Sequence, residues 1–247
     1  MRSLVVIFFI AALAYQAQAI VGGEVANESS IESYSSVAVS SWFGRCSGTI
    51  IDKNLILSSA SCLAEYFPDK GYVAEPDKAY VQLKNKPPMS VEKIVLHPGY
   101  DRHLYPDLAI IKLTENIPAP FMPVDLVEDT SVLTPGLDII LAGFGATKLK
   151  YQESKDRNTL YTKTVKTDRV FEKFGMFSYW EEGACEGDHG GSGYIQKNGR
   201  LMLIGVMHYE TEGLSAICTK YGALESIPHN FAWISKTAKE LNTVGEK

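Results

Sequence analysis

The stretch Gly187-Asp188-His189-Gly190-Gly191-Ser192-Gly193 decides the interpretation of this chain. It places one acid and one imidazole among glycines, and its small Ser192 is expected to begin a strand. Four other stretches precede it in a fixed order, and the five together are far more specific than any one alone. These four are Ile20-Val21-Gly22-Gly23, Cys46-Ser47-Gly48-Thr49, Leu57-Ser58-Ser59-Ala60-Ser61-Cys62 and Asp107-Leu108-Ala109-Ile110-Ile111-Lys112-Leu113.

Short β-rich runs separated by turn residues surround these stretches, which favours an antiparallel barrel or sandwich over a parallel sheet. The predicted strands are Ser35–Ser40, Ser47–Ile51, Leu55–Ser58, Ala79–Leu83, Glu92–Leu96, Leu108–Leu113, Asp138–Ala142, Thr159–Lys166, Gly193–Gln196 and Leu201–Tyr209. The segment 116–135 contains four prolines and little alternation. It therefore indicates a connection between two half-domains.

One long helix is predicted, at the end of the chain. Phe231, Ile234, Ala238 and Leu241 form an apolar stripe at helical spacing, and Asn230 is placed to cap its start. The prediction is a helix over residues 230–242. The polar stretch 148–158 and the segment 211–217 are expected to be exposed loops with a potential for recognition.

The first nineteen residues are typical of a cleaved signal peptide. Arg2 supplies a positive charge, an apolar run of twelve residues follows from Leu4 to Tyr15, and Ala17-Gln18-Ala19 fits signal peptidase. The run is shorter than the roughly 20 residues that cross a bilayer, so we expect a secreted protein, extracellular or periplasmic, without a membrane anchor after cleavage. A net charge of −5 without a basic cluster argues against nucleic-acid binding.

All four cysteines lie in the exported part, and none is spaced as in a zinc site. An even number in an oxidising compartment favours two disulfides, of which four cysteines allow three pairings. The four are Cys46, Cys62, Cys185 and Cys218.

In these stretches the chain resembles the trypsin/chymotrypsin family of serine proteases, in order and over nearly all of residues 20–247. The resemblance implies an all-β fold of two antiparallel six-stranded barrels, over about 20–120 and 121–230, with the active cleft between them. It also implies the disulfides Cys46–Cys62 and Cys185–Cys218. Nothing in the sequence suggests an obligate oligomer, and we expect a monomer.

The family becomes active when a new N-terminal ammonium pairs with the aspartate before the nucleophile. Ile20 and Asp188 match these two positions. A buried charge is tolerated when it is paired, so this pair is expected to fix the turn whose Gly187 and His189 N–H groups would form the oxyanion hole.

Two of the three catalytic positions depart from the family. Ser61 stands where the family has its base histidine, and His189 stands where it has its nucleophilic serine, whereas the orienting acid Asp107 is retained. In the family's triad, the imidazole must take the proton of the serine as it attacks. We therefore predict loss of peptidase activity, with hydrolysis by Ser61 and His189 in exchanged roles as the alternative.

The specificity pocket is also altered in the alignment. Gly183 falls at its base, and His208, Tyr209 and Glu210 stand where its wall usually has a serine, a tryptophan and a glycine. No cofactor is expected. A metal held by His189, Asp107 and either His103 or His208 is an alternative without supporting ligand spacing.

These features predict a binding or regulatory protein on a protease scaffold. Its cleft would hold a peptide or protein ligand, such as a protease inhibitor or a protease, without cleaving it. A chain whose family membership is only ancestral is the remaining alternative.

Overall fold

A computed structural model describes residues 20–101, 106–145, 158–180, 183–208 and 221–243. Its helices are α1 (Ile31–Ser35) and α2 (Ile227–Thr243). The strands before the middle of the chain are β1 (Glu24–Val25), β2 (Ser36–Ser41), β3 (Gly44–Asp52), β4 (Leu55–Ser58), β5 (Ala64–Phe67), β6 (Gly71–Ala74), β7 (Ala79–Gln82), β8 (Met89–Leu96) and β9 (Ala109–Leu113). Those after it are β10 (Asp125–Leu126), β11 (Asp138–Gly143), β12 (Tyr161–Phe171), β13 (Met176–Tyr179), β14 (Ser192–Lys197), β15 (Arg200–His208) and β16 (Gly222–Ser226).

The strands form two closed antiparallel barrels of six strands each, as predicted. The first has the order β2-β3-β4-β9-β8-β7, and the second has the order β12-β11-β14-β15-β16-β13, closed by pairing of β13 with β12. Closure removes the exposed sheet edges that an open sheet would leave. With one long helix after the last strand, this is the architecture of the trypsin fold.

Each barrel encloses its own apolar core, and a third cluster joins the barrels. The side chains of Val37, Ile56 and Ile111 fill the first interior. Residues of both barrels and of α2, including Leu57, Val206 and Ile234, form the joining cluster. Full burial of one such side chain stabilises the fold by about 1.5–3 kcal/mol, so this shared cluster holds the two barrels and α2 together.

The N-terminal residues belong to the second barrel rather than to the first. β1 pairs with β12, with Glu24 opposite Thr162. The chain therefore begins against the second barrel before it builds the first.

The segment 116–135 crosses from one barrel to the other. The Val124 N–H donates to the Ile50 carbonyl in the first barrel at 3.1 Å, and the Val127 N–H donates to the Leu203 carbonyl in the second at 2.9 Å. Between them, β10 adds a parallel pairing to β15. The segment is thus the predicted connection.

Helix α2 begins three residues earlier than predicted, and Asn230 does not cap it. The cap is Ser226, whose hydroxyl accepts the His229 N–H at 3.4 Å, while Asn230 lies within the helix and its side-chain amide donates to the Ser226 carbonyl. The apolar stripe could not reveal this start, because Ile227 and Pro228 continue directly from β16. In the described ranges, no helix has the length and apolar character that a membrane span requires.

Candidate functional site

Ser61 and Asp107 meet because two paired strands end beside each other. Ser61 lies in the 3₁₀ turn Ala60–Cys62 after β4, and Asp107 precedes β9. β4 and β9 are antiparallel with Ser58 opposite Ala109, so the residues just beyond this pair are neighbours. The Ser61 hydroxyl donates to Asp107 Oδ2 at 2.7 Å, and the Ser61 N–H donates to Oδ1 at 2.7 Å.

His208, the last residue of β15, provides a further contact to the same carboxylate. Its Nδ1 lies 2.9 Å from Asp107 Oδ2. Burial alone would raise the pKa of Asp107, but the hydrogen bonds from His208 and Ser61 outweigh it and hold that pKa below its ordinary value. The ionised carboxylate only accepts hydrogen bonds, so Nδ1 of His208 carries the hydrogen.

This contact was not expected from the sequence. His208 was placed on the wall of the specificity pocket, whereas its side chain turns to Asp107. Asp107 thus binds both a hydroxyl and an imidazole. The serine that the family usually has at position 208 is shorter than histidine and would compete less well for Asp107. The sequence carried no signal that the histidine in its place would contact Asp107.

Glu225 is a member of the site that the sequence interpretation missed. It is fully buried in β16, and its Oε1 accepts the backbone N–H of Asp107 at 2.9 Å. Burial, together with the neighbouring Asp107 charge, raises the pKa of Glu225 to about 8. At neutral pH Glu225 is therefore protonated, whereas the neighbouring Asp107 is ionised.

His189 lies in the turn before β14, and its ring centroid is 6.2 Å from that of His208, nearly perpendicular to it. Burial lowers the pKa of His189 to about 4, so the imidazole is neutral at pH 7.

The turn that carries His189 is attached to the first barrel through Ser47. The Ser47 N–H donates to the His189 carbonyl at 2.8 Å, and the Ser47 hydroxyl donates to the Gly187 carbonyl at 3.0 Å. This part of the turn is thereby held in place. The oxyanion role of the Gly187 and His189 N–H groups stays a prediction.

Asp188 and Ile20 meet inside the second barrel. The Ile20 N–H, here part of a peptide bond, donates to the Asp188 carboxylate, and both residues are fully buried. The N–H groups of Gly145 and Cys185 donate to the same carboxylate at 2.8 and 2.9 Å. Burial nevertheless raises the pKa of Asp188 to about 7, and the groups of the described residues that donate to its carboxylate are uncharged N–H groups.

The expected pocket base, Gly183, packs against the ring of Tyr179. A Cβ atom added to Gly183 would lie 2.7 Å from Cε2 of that ring and 2.7 Å from its hydroxyl oxygen, and the Ala184 N–H donates to the Tyr179 hydroxyl at 2.9 Å. Glu210 and the loop 211–217 lie outside the described residues, as do residues 148–157.

One predicted disulfide is present, between Cys46 and Cys62 with a Cα–Cα distance of 6.3 Å. Cys185 is also in a disulfide, while Cys218, its expected partner, lies outside the described residues. In the same part of the first barrel, the Ser41 hydroxyl donates to the Cys62 carbonyl at 2.6 Å.

Ser192 and His97 make contacts that are typical of structural residues. Ser192 begins β14, as expected, and its hydroxyl lies 2.5 Å from that of Thr49 in the first barrel. His97 packs on Trp233. Within the described ranges, no group of three or more His, Cys, Asp or Glu side chains is arranged to hold a metal ion, and His103 lies outside them.

Two closed barrels with Asp107 and His189 at their junction and a buried Asp188 in the second barrel define the class of two-barrel serine proteases and their homologues. The profile of the Trypsin family matches residues 20–234, and the chain belongs to that family.

The curated relatives are distant. Chymotrypsin-like elastase family member 1 of Macaca fascicularis is 23% identical over 88% of this chain and 89% of its own length. Serine protease 28 of Mus musculus is 24% identical over 81% and 80%. Phenoloxidase-activating factor 3 of Holotrichia diomphalia is 25% identical over 78% and 64%.

Proposed function

We propose that this protein is a secreted trypsin-family homologue that does not cleave peptides and that acts as a binding or regulatory protein through its protease-like cleft. The observation that carries the proposal is the hydrogen bond from the Ser61 hydroxyl to Asp107 Oδ2, at 2.7 Å. The only nucleophilic hydroxyl at a triad position thereby donates to a carboxylate.

That carboxylate is a poor general base. Hydrogen bonds from His208 and Ser61 keep the pKa of Asp107 below its ordinary range, and a serine becomes a nucleophile only when a competent base takes its proton. Ser61 is thus positioned but not activated.

His189 is a weak replacement for the missing base. General acid–base catalysis is efficient when the pKa lies near the working pH, and burial lowers the pKa of His189 to about 4. In the family, the oxyanion donors surround the side chain at position 189. Attack from Ser61 would develop its negative charge elsewhere, which disfavours the exchanged-role hydrolase.

The scaffold around this site supports a role in binding. Asp188 sits beside Ile20, the Cys46–Cys62 bridge is closed, and Ser47 ties the turn of His189 to the first barrel. The disulfide and the predicted signal peptide support secretion. A peptide or protein ligand, such as a protease inhibitor or a protease, fits a rigid cleft of this kind.

The binding half of the proposal is tested with immobilised protein that begins at Ile20 and a panel of trypsin-family proteases and protein protease inhibitors. We expect saturable binding that Ser61→Trp abolishes by filling the cleft. The matched control is Ser131→Trp, at an exposed serine of the 3₁₀ turn Thr130–Val132, which should bind normally. Equal binding by both variants would place the interaction outside the cleft and contradict the proposal.

A further inference from the structure

Tyr179 is the last residue of β13, and it lies opposite Gly222 of β16 in the antiparallel pairing. Only 1% of this tyrosine is exposed. Its ring extends toward the segment that begins at Gly183, so it stands between that segment and β16.

Two glycines, Gly183 and Gly222, face the ring, and neither position has space for a side chain. A Cβ atom at Gly183 would lie 2.7 Å from Tyr179 Cε2 and 2.7 Å from its hydroxyl oxygen. A Cβ atom at Gly222 would overlap the hydroxyl and Cζ of the same ring. Real Cβ atoms do not approach other heavy atoms this closely, so the two glycines are needed because the ring occupies the space between them.

The ring is also held in this place. Its hydroxyl accepts the Ala184 N–H at 2.9 Å, and the side chain belongs to the core cluster of the second barrel with Ile20, Phe177 and Leu224. Moving the ring aside would expose a large apolar surface and leave a buried N–H group without its acceptor.

We propose that Tyr179 fills the base of the side-chain pocket at Gly183, so that the cleft accepts a ligand only where the ligand presents a glycine or an alanine at this point. The inference rests on the proposed binding function and narrows its ligand class. A protease inhibitor or peptide that anchors itself by inserting a long side chain is excluded, and a segment held along its backbone is favoured.

The closed pocket is tested with p-cresol, which has the shape of a tyrosine side chain. Truncation of a buried side chain opens a cavity that binds a small molecule of matching shape. We expect saturable p-cresol binding by Tyr179→Ala in calorimetry, and none by the natural protein or by Tyr179→Phe, which keeps the ring. Saturable binding to the natural protein, or a folded Tyr179→Ala that binds none, overturns the proposal.

A second measurement needs no substitution at Tyr179. The natural protein is titrated with versions of one small protein protease inhibitor that carry glycine, alanine, lysine or phenylalanine at the inserted position. We expect the lysine and phenylalanine versions to bind about tenfold or more weakly than the glycine version. Tighter binding of a long side chain contradicts the closed pocket.

The two proposals fail in different ways. If no inhibitor version binds while the p-cresol results are as expected, the inhibitor is not the partner and the closed pocket stands. If long side chains bind tightly in the cleft, binding stands and the closed pocket is wrong.

Discussion

Asp107 accepts hydrogen bonds from the Ser61 N–H, the Ser61 hydroxyl and His208 Nδ1. In the family's triad, this carboxylate orients the base imidazole. Here Asp107 Oδ2 is contacted by the imidazole of His208, which lies 101 positions after Asp107 in the sequence. Asp107 therefore contacts a second side chain besides the one at the base position, and the chain departs from the family's pattern at His208 as well as at Ser61 and His189.

The first prediction follows from this second contact. The variant Ser61→His with His189→Ser should form an acyl-enzyme only slowly, because His208 competes with the new imidazole for Asp107 Oδ2. The further change His208→Ser should leave Asp107 free to orient that imidazole and should speed acylation. Loss of this orientation costs on the order of 10⁴-fold in kcat in a trypsin-family enzyme. The acetyl-enzyme formed from p-nitrophenyl acetate, whose acyl group needs no side-chain pocket, is measured by mass spectrometry.

The matched control for this prediction adds His97→Ser to the double variant, which also removes one imidazole but away from Asp107. It should leave the double variant unchanged. Equal acylation of the double and triple variants would mean that His208 does not restrain Asp107.

A second prediction concerns Glu225, whose pKa burial raises to about 8. The folded protein keeps a proton on Glu225 that the unfolded chain loses above about pH 4.3, so the free energy of unfolding falls as pH rises from there to about 8. Glu225→Gln, which imitates the neutral acid, should remove the share of this slope that belongs to Glu225 and leave the share that Asp188 contributes below about pH 7. Urea unfolding between pH 5 and 8.5 measures it, and an unchanged slope would show that Glu225 is ionised in the fold.

At the scale of the elements, the sequence pattern predicted the long helix and those strands whose apolar residues are buried. The two barrels were predicted from the resemblance to the family's motifs. β4 was predicted with its observed bounds because every residue of Leu55–Ser58 is buried. β13 and β16 were missed, since glycine and polar residues interrupt them. Their backbone pairing with each other and with β12 and β15 holds them in the sheet, and local sequence does not contain that information.

The same limit applied to the site. The triad positions could be predicted because their local motifs survive. The contacts of His208, Glu225 and Tyr179 could not. His208 and Glu225 meet Asp107 only where the two barrels pack together, and Tyr179 meets Gly222 only when the second barrel closes.

The third prediction belongs to α2. Ser226→Ala removes the hydroxyl that accepts the His229 N–H and lies 2.8 Å from His229 Nδ1, and loss of such a cap costs about 1 kcal/mol in the free energy of unfolding. Denaturant unfolding measures it. The exposed Ser235→Ala on the same helix is the control and should be neutral or slightly stabilising, so equal effects would argue against the cap.

At the scale of the whole molecule, Ile20 couples the start of the chain to the turn of His189. While Ile20 is part of a peptide bond, the pKa of Asp188 is raised to about 7. The folded protein then holds a proton that the unfolded chain loses near pH 4, so its stability falls as pH rises through about 4 to 7. A free ammonium at Ile20 would pair with the ionised carboxylate and reverse this loss.

The fourth prediction compares protein that begins at Ile20 with protein that keeps Ala19. The first should be more stable at pH 7.5, by an amount on the order of 4 kcal/mol at most, and the difference should shrink towards pH 4. Thermal unfolding across this range measures it. A constant difference would show that Asp188 does not carry the coupling.

The central claim, a protease fold without peptidase activity, is tested most directly by turnover of a broad fluorogenic peptide library with protein that begins at Ile20. Ser61→Ala prepared in the same way is the comparison. We predict that the natural protein cleaves no faster than Ser61→Ala and that neither exceeds the buffer rate. Turnover by the natural protein that Ser61→Ala abolishes would contradict the claim and establish Ser61 as a working nucleophile.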